Sequence, residues 1–368
     1  MPPLRQITFV LDEFALQTPA QQLLDRFLLG YRRDGQFHRV AGIKVVAHLA
    51  ADAASTTGEN SELSRRVADH GLRLAPTLAD ALRTADAIVL VPRSTAIAPA
   101  EALVTAVLEQ APRGAACFIH GALAANLAAA QTALRRAELR QILLAAGTAL
   151  PLTWRLPQVD LPAHARVAEA LIVVQGPSPL AELHALDGLL PLLERRAGGE
   201  RGVRRVKFLA GPEMWRAANH GDWSWPLLSS ALSRSDSPQG NTLLDGRTQD
   251  LVGRGVVPGL ARDPRGWLLE HTDGVRSALL VLDGVVADYN FAIRLQNGRE
   301  ISAQLFRAPV PAQEQFTPLV AALENFFRTG NAPWPAARSL LTAGLLDQFR
   351  TSSDSPGRWF PILTPAPQ

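Results

Sequence analysis

Short apolar runs alternate with amphipathic stretches through the first half of the chain, the pattern of βαβ units that build a parallel sheet. Residues 7–11 (ITFVL) read as a strand, and 19–29 as a helix with Leu23, Leu24, Phe27 and Leu28 on one face. Residues 43–49 are the next strand, followed by a helix over 61–70 with Ser61 as a candidate N-cap and Gly71 as a stop. Further strands are predicted at 73–76, 86–92, 115–120 and 141–145, with helices at 78–84, 99–110 and 124–140 between them. This half therefore predicts an α/β class fold, a Rossmann-like doubly wound parallel sheet.

The texture changes where Pro151, Pro157 and Pro162 punctuate a linker, which places a domain boundary between 1–150 and 151–368. The second part reads as an α+β domain with an open, mostly antiparallel sheet. Strands are predicted at 166–174 and 203–210, with a helix over 179–195 between them and an irregular Trp-, Ser- and Gly-rich region over 214–258. Three more strands, at 266–272, 276–282 and 286–295, are joined by turns at Gly274 and Gly284. Helices over 316–328 and 335–349 close the chain and are placed to pack back on the first domain, before a surface tail after Ser352.

Composition narrows the class. With 47% hydrophobic and 19% charged residues, the chain lies well away from the disordered corner, and 368 residues suffice for two cores. The net charge is only +3 and the arginines are scattered, as in Arg65-Arg66 and Arg135-Arg136, which is no nucleic-acid footprint. One cysteine, Cys117, excludes an internal disulfide or a CxxC site, and its apolar neighbours predict a buried hydrophobe. The amino terminus lacks a signal-like head and no run is long enough for a bilayer, so a cytoplasmic protein without membrane contact is expected.

Several stretches, taken in order, resemble the Gfo/Idh/MocA family of nicotinamide-dependent sugar and polyol dehydrogenases. Residues 64–92 (SRRVADHGLRLAPTLADALRTADAIVLVP) are similar to the family's helix, short strand, Thr-x-x-acidic-Leu turn and Asp-Ala-Val strand. Residues 326–346 (FFRTGNAPWPAARSLLTAGLL) resemble its C-terminal Phe, Gly and Pro signature, and 145–156 sit where such chains leave the dinucleotide domain. The resemblance implies a Rossmann domain binding NAD or NADP, and a second domain whose open sheet covers the nicotinamide and often forms the interface of a homodimer or tetramer. By position it implies cofactor contacts at Asp52, the acidic residue after the second strand, and at Pro92 and Arg93 after the third.

Three departures from the family pattern stand out. The turn after the first strand, Leu11-Asp12-Glu13-Phe14-Ala15-Leu16-Gln17-Thr18, has no glycine to let a backbone approach a pyrophosphate, and carries two carboxylates that repel one. Where the family has Glu-Lys-Pro, with the lysine assisting proton and hydride transfer, this chain has His120-Gly121-Ala122. Glycine supplies no acid or base, so His120 is the candidate there. The family's Asp, His and Asp of the substrate pocket become Leu180, His184 and Asp187, with Glu182 near the missing acid. His184 and Asp187 share a helical face.

Candidate substrate contacts are Glu182, Arg155, Trp223, Arg234, Arg247 and Asn290, an aromatic and polar set suited to a sugar or polyol. His184, His220 and Asp187 have no spacing that demands a metal, and none is expected. Two function classes follow. One is an oxidoreductase acting on a sugar, polyol or similar hydroxylated metabolite, with NAD or NADP bound in an unusual way. The other is a cofactor-free binding, regulatory or partner subunit, for which no cofactor is equally defensible; a non-redox lyase or hydrolase with a histidine base is a third.

Overall fold

Gln6–Leu11 forms β1, every side chain of which is buried, because a central parallel strand is covered on both faces. In the computed structural model, which describes residues 4–50, 59–237 and 250–362, the chain divides into two compact units. The first comprises Met1–Leu152 and Ala308–Ala343, the second Thr153–Arg307 and Gly344–Gln368.

After β1 come helix α1 (Pro19–Leu29), a hairpin of β2 (Tyr31–Arg33) and β3 (Gln36–His38), strand β4 (Lys44–Leu49), α2 (Glu59–His70), β5 (Arg73–Leu74) and α3 (Leu78–Leu82). Then follow β6 (Ala87–Val91), α4 (Glu101–Gln110), β7 (Ala116–His120), α5 (Leu127–Leu139) and β8 (Leu143–Gly147). Among the described residues the sheet is parallel, in the order β5-β4-β1-β6-β7-β8. Alternation along β1 sends Ile7, Phe9 and Leu11 into one core and Val10 into the other. The α4 and α5 residues Val104, Val107, Ala130 and Ala133 fill the Val10 side, where Cys117 is also buried. On the other side α1 meets a helix from far along the chain.

That helix, α10 (Phe316–Thr329) by its place in the chain, supplies Phe316, Leu319, Val320, Leu323, Phe326 and Phe327 to the same core as Phe9 and Phe27. Each such burial contributes on the order of 1.5–3 kcal/mol, so α10 is integral to this unit. Trp334 follows it, donating from Nε1 to the carbonyl of Ala146 at 2.7 Å.

The second unit holds β9 (Arg155–Leu156), β10 (Val167–Val174), α6 (Ala181–Leu193), β11 (Val203–Ala210), α7 (Pro212–Asn219), α8 (Trp225–Leu232) and α9 (Val257–Leu260). It continues with β12 (Arg262–His271), β13 (Arg276–Asp283), β14 (Tyr289–Leu295), β15 (Glu300–Leu305) and β16 (Trp359–Pro361), while α11 (Ala336–Ser352) begins in the first unit and ends in this one. Strand order is β16-β11-β12-β13-β10-β14-β15-β9, antiparallel apart from the parallel pair β10 and β13.

Four expectations are corrected here. The region over 214–258 is not irregular throughout: Pro212 and Pro226 occupy first-turn positions of α7 and α8, where a missing N–H costs nothing, and Ser224 caps α8. The tail contributes β16, paired to β11. Turns do not link all neighbouring strands, since β10 lies between β13 and β14. Finally, the sheet does not leave a face exposed for a partner. Leu171, Val173 and Ala292 point to a core closed by Met214, Ala217, Leu227 and Leu228 of α7 and α8, whereas α6 packs on the side of Tyr289. No helix among the described residues is long and apolar enough to cross a membrane.

Candidate functional site

Neighbours on the two sides of β1 are β4 and β6, so the strand order reverses at the carboxyl ends of β1 and β6, the place where open α/β sheets take their ligands. Asp12 and Glu13 leave β1 there, and Pro92, Arg93 and Ser94 leave β6. Glu13 Oε1 accepts the backbone N–H of Ser94 at 2.6 Å, and the N–H of Asp12 donates to the carbonyl of Val91 at 3.1 Å. Burial raises the Asp12 carboxyl above its usual range, against the pull of the Arg93 charge and of a backbone hydrogen bond from Arg93. Arg93 is exposed beside it, and Pro92 is buried without an N–H to offer.

A dinucleotide pyrophosphate needs free backbone N–H groups and close approach to the start of a helix. Here a carboxylate already takes the Ser94 N–H, and α1 begins only at Pro19, whose nitrogen carries no hydrogen. Two carboxylates meet any incoming phosphate, with the Arg93 guanidinium beside Asp12. The residues present do not fit the pyrophosphate of a nicotinamide dinucleotide. Asp52, the expected ribose contact, lies outside the described residues.

His120 ends β7, its ring 6.0 Å from that of Phe316 and nearly parallel to it at 30°. Burial pushes its pKa down to about 4, so the imidazole is neutral and a weak base at pH 7. Gly121 has φ +100°, and a Cβ there would lie 2.8 Å from the carbonyl oxygen of Ile97, which accepts the N–H of Ala122 at 2.9 Å. The backbone itself is shaped for glycine.

In the second unit, α6 carries Glu182, His184 and Asp187. Arg307 Nη1 donates to the Tyr289 hydroxyl at 3.0 Å, and the hydroxyl in turn lies 3.0 Å from His184 Nδ1. The Tyr289 hydroxyl, which accepts from Arg307, thus holds the His184 ring through Nδ1. Burial raises the Tyr289 pKa despite the nearby guanidinium, so the phenol keeps its hydrogen. The His184 and Tyr289 rings meet edge-on at 5.3 Å and 89°. Asp187 is buried one turn along the helix from His184.

Asn290, next to Tyr289, is fully buried and donates from Nδ2 to Asp288 Oδ1 at 2.6 Å. Asp288 also accepts from the Ser235 hydroxyl, the Asp236 N–H and Gln304 Nε2, so Asn290 belongs to a network that ties down the chain after α8. Glu182 pairs with Arg265 at 3.0 Å and Arg155 with Asp160 at 3.1 Å. Arg234 Nε donates to the Ser302 hydroxyl at 3.0 Å. Trp223 is 2% exposed and donates from Nε1 to Met214 O, which makes its ring part of the core. Arg247 lies outside the described residues, and among those described no group of three or more His, Cys, Asp or Glu is placed to hold a metal. His220 follows α7, on the face of the sheet opposite to α6.

Sequence reasoning missed Tyr289 as the partner of His184, and Arg307 as the partner of Tyr289. Tyr289 stands beside the candidate Asn290 on the strand predicted over 286–295 and could have been found there. Arg307 carried no signal, because it follows β15, a strand that was not anticipated.

The fold defined by these two units is that of the Gfo/Idh/MocA-type dehydrogenases. The chain is similar in structure to myo-inositol dehydrogenase from Lactobacillus casei in complex with NAD(H) and myo-inositol, with a TM-score of 0.60, 12% identity, and 99% and 98% of the two chains covered. GenD2 from gentamicin A biosynthesis, in complex with NAD, matches with a TM-score of 0.61 and 13% identity over 98% and 97%. UDP-N-acetylglucosamine 3-dehydrogenase GnnA from Acidithiobacillus ferrooxidans matches with 0.56 and 13% over 95% and 98%. No protein-family model matches the chain, and no curated protein matches its sequence.

Proposed function

We propose that this chain is an oxidoreductase-fold protein for a sugar, polyol or similar hydroxylated metabolite, and that it works without docking a nicotinamide dinucleotide at the turn after β1. Glu13, held by the Ser94 N–H, carries this reading, since a carboxylate fixed at the turn after β1 repels an approaching pyrophosphate. The ligand contacts we assign are to His184 and Asp187 on α6, where Tyr289 holds the imidazole ring in place through Nδ1. The contribution we assign to Glu182, Arg155, Arg234 and Asn290 is to hold the surrounding backbone through their ion pairs and hydrogen bonds. Any dimer or tetramer uses a surface other than the sheet face that α7 and α8 cover.

A second reading keeps hydride transfer, with NAD or NADP bound by other contacts. It is favoured by the likeness to dehydrogenases over nearly the whole chain, and by Arg93, an exposed cation beside the strand ends. Isothermal titration of the full chain with NAD(H) and NADP(H) separates the two. The first reading expects no heat at millimolar cofactor, for wild type and for Glu13→Gln alike. Micromolar binding by the wild type would overturn it and establish the second.

A further inference from the structure

Three tryptophans gather on the α7 and α8 side of the second-unit sheet, opposite the face that carries His184. Trp223 is the buried one, with ring centroids 4.9 Å from Trp225 and 6.3 Å from Trp215. Trp215 and Trp225 are half-exposed and stack on each other at 5.6 Å and 12°. They line a recess of about 580 Å³ together with Asn219, Ser229, Asp250 and Pro226. Trp225 Nε1 donates to Asn219 Oδ1 at 3.0 Å, which fixes the ring plane and orients the amide. Asp250 Oδ1 accepts the Gly253 N–H at 2.8 Å, which anchors the carboxylate at the opposite rim.

We propose that this recess binds a neutral saccharide of one or two rings. Large flat apolar surface left open to water is the informative kind of exposure, and indole faces pack against the C–H face of a pyranose. An amide, a hydroxyl and a carboxylate on the rim match the alternating donors and acceptors of ring hydroxyls. Among the described residues the only charged lining side chain is that of an acid, Asp250, which disfavours phosphate and carboxylate ligands. The volume lies within the range of sites that enclose small organic ligands. This site is separate from His184 and does not rest on the function proposed above.

The test is calorimetry and ligand-observed NMR on the full chain, with methyl β-glucoside, cellobiose and N,N′-diacetylchitobiose as probes, and tetramethylammonium and inorganic phosphate beside them. Millimolar binding of at least one saccharide is expected, weakened tenfold or more by Trp215→Ala and several-fold by Asp250→Asn. If Trp215→Ala disturbs folding by circular dichroism, Asp250→Asn and Ser229→Ala decide the matter from the rim. Absence of binding up to about 50 mM, where even weak sites with dissociation constants of order 1 mM are saturated, overturns the proposal. So does saccharide binding that survives the rim variants, which would belong to another site such as that of His184. Binding of tetramethylammonium without any saccharide would show an aromatic cation cage instead, and a Trp215-dependent dimer without saccharide binding would show a contact between copies.

Discussion

Position 121 shows how backbone geometry can reserve the end of a strand for glycine. A left-handed φ with the Ile97 carbonyl 2.8 Å from a would-be Cβ leaves no room for a side chain there. Gly121→Lys is therefore expected to restore no activity and to lower stability by roughly 2–4 kcal/mol, the sum of positive-φ strain and displacement of a carbonyl. Thermal melting checks this: a Gly121→Lys protein that melts with the wild type would show that the strand end can refold around a side chain. The substitution to glycine was legible in the sequence, but the geometric reason for it was not, because Ile97 is distant in sequence. At His120 the residue itself was legible as a candidate base, whereas its pKa near 4 comes from burial that no local pattern announces.

Elements of the first unit were legible because parallel strands covered on both faces read as unbroken apolar runs, as in AIVLV of β6. The β2 and β3 hairpin was not anticipated, although Asp34-Gly35, both at positive φ, is a strong hairpin signal between short strands. In the second unit the helices α7 and α8 were hidden by their tryptophans, serines and prolines, a composition that reads as loop until Pro at the first turn and Ser224 at the cap are weighed together. Ser224 Oγ accepts the Leu227 N–H at 3.3 Å and a hydrogen bond from Arg294 Nη2 at 3.0 Å. Ser224→Ala is accordingly expected to cost about 1–2 kcal/mol, measurable as a lower denaturant midpoint with an unchanged slope. A neutral substitution would mean that α8 is held by its core contacts with Leu227 and Leu228 alone. Strand neighbours such as β10 between β13 and β14 lie beyond sequence reading altogether, since hydrophobic alternation says which face is buried and nothing about which strand lies alongside.

The two compact units carry different acid-sensitive groups, and this separates their responses to pH. In the first unit, burial holds His120 neutral down to about pH 4, below the ordinary 6.5. The unfolded chain takes up that proton as pH falls from 6.5 while the folded unit does not, so stability is lost across the interval from 6.5 to 4. In the second unit, Arg196 is 2% exposed and pairs with Glu200 at 2.9 Å and Asp273 at 2.8 Å. Burial alone would raise the Glu200 carboxyl, but hydrogen bonds from His271 and Arg196 outweigh it and bring the pKa to about 2. A carboxyl depressed in this way stabilises the fold fully above its ordinary 4.5, and the contribution disappears as pH falls from 4.5 toward 2. The first unit should therefore weaken before the second on acidification. Hydrogen exchange read by mass spectrometry at pH 7, 5 and 3 resolves the order, because β1, β6 and β7 report the first unit and β10, β12 and β13 the second. His120→Phe should flatten the loss in the first unit between pH 6.5 and 4 without touching the second, whereas Glu200→Gln should lower protection in the second unit already at pH 7, since it removes the partner of a buried guanidinium. If both units lose protection together, and His120→Phe leaves the profile unchanged, then the burial of that imidazole is not what makes the first unit acid-sensitive.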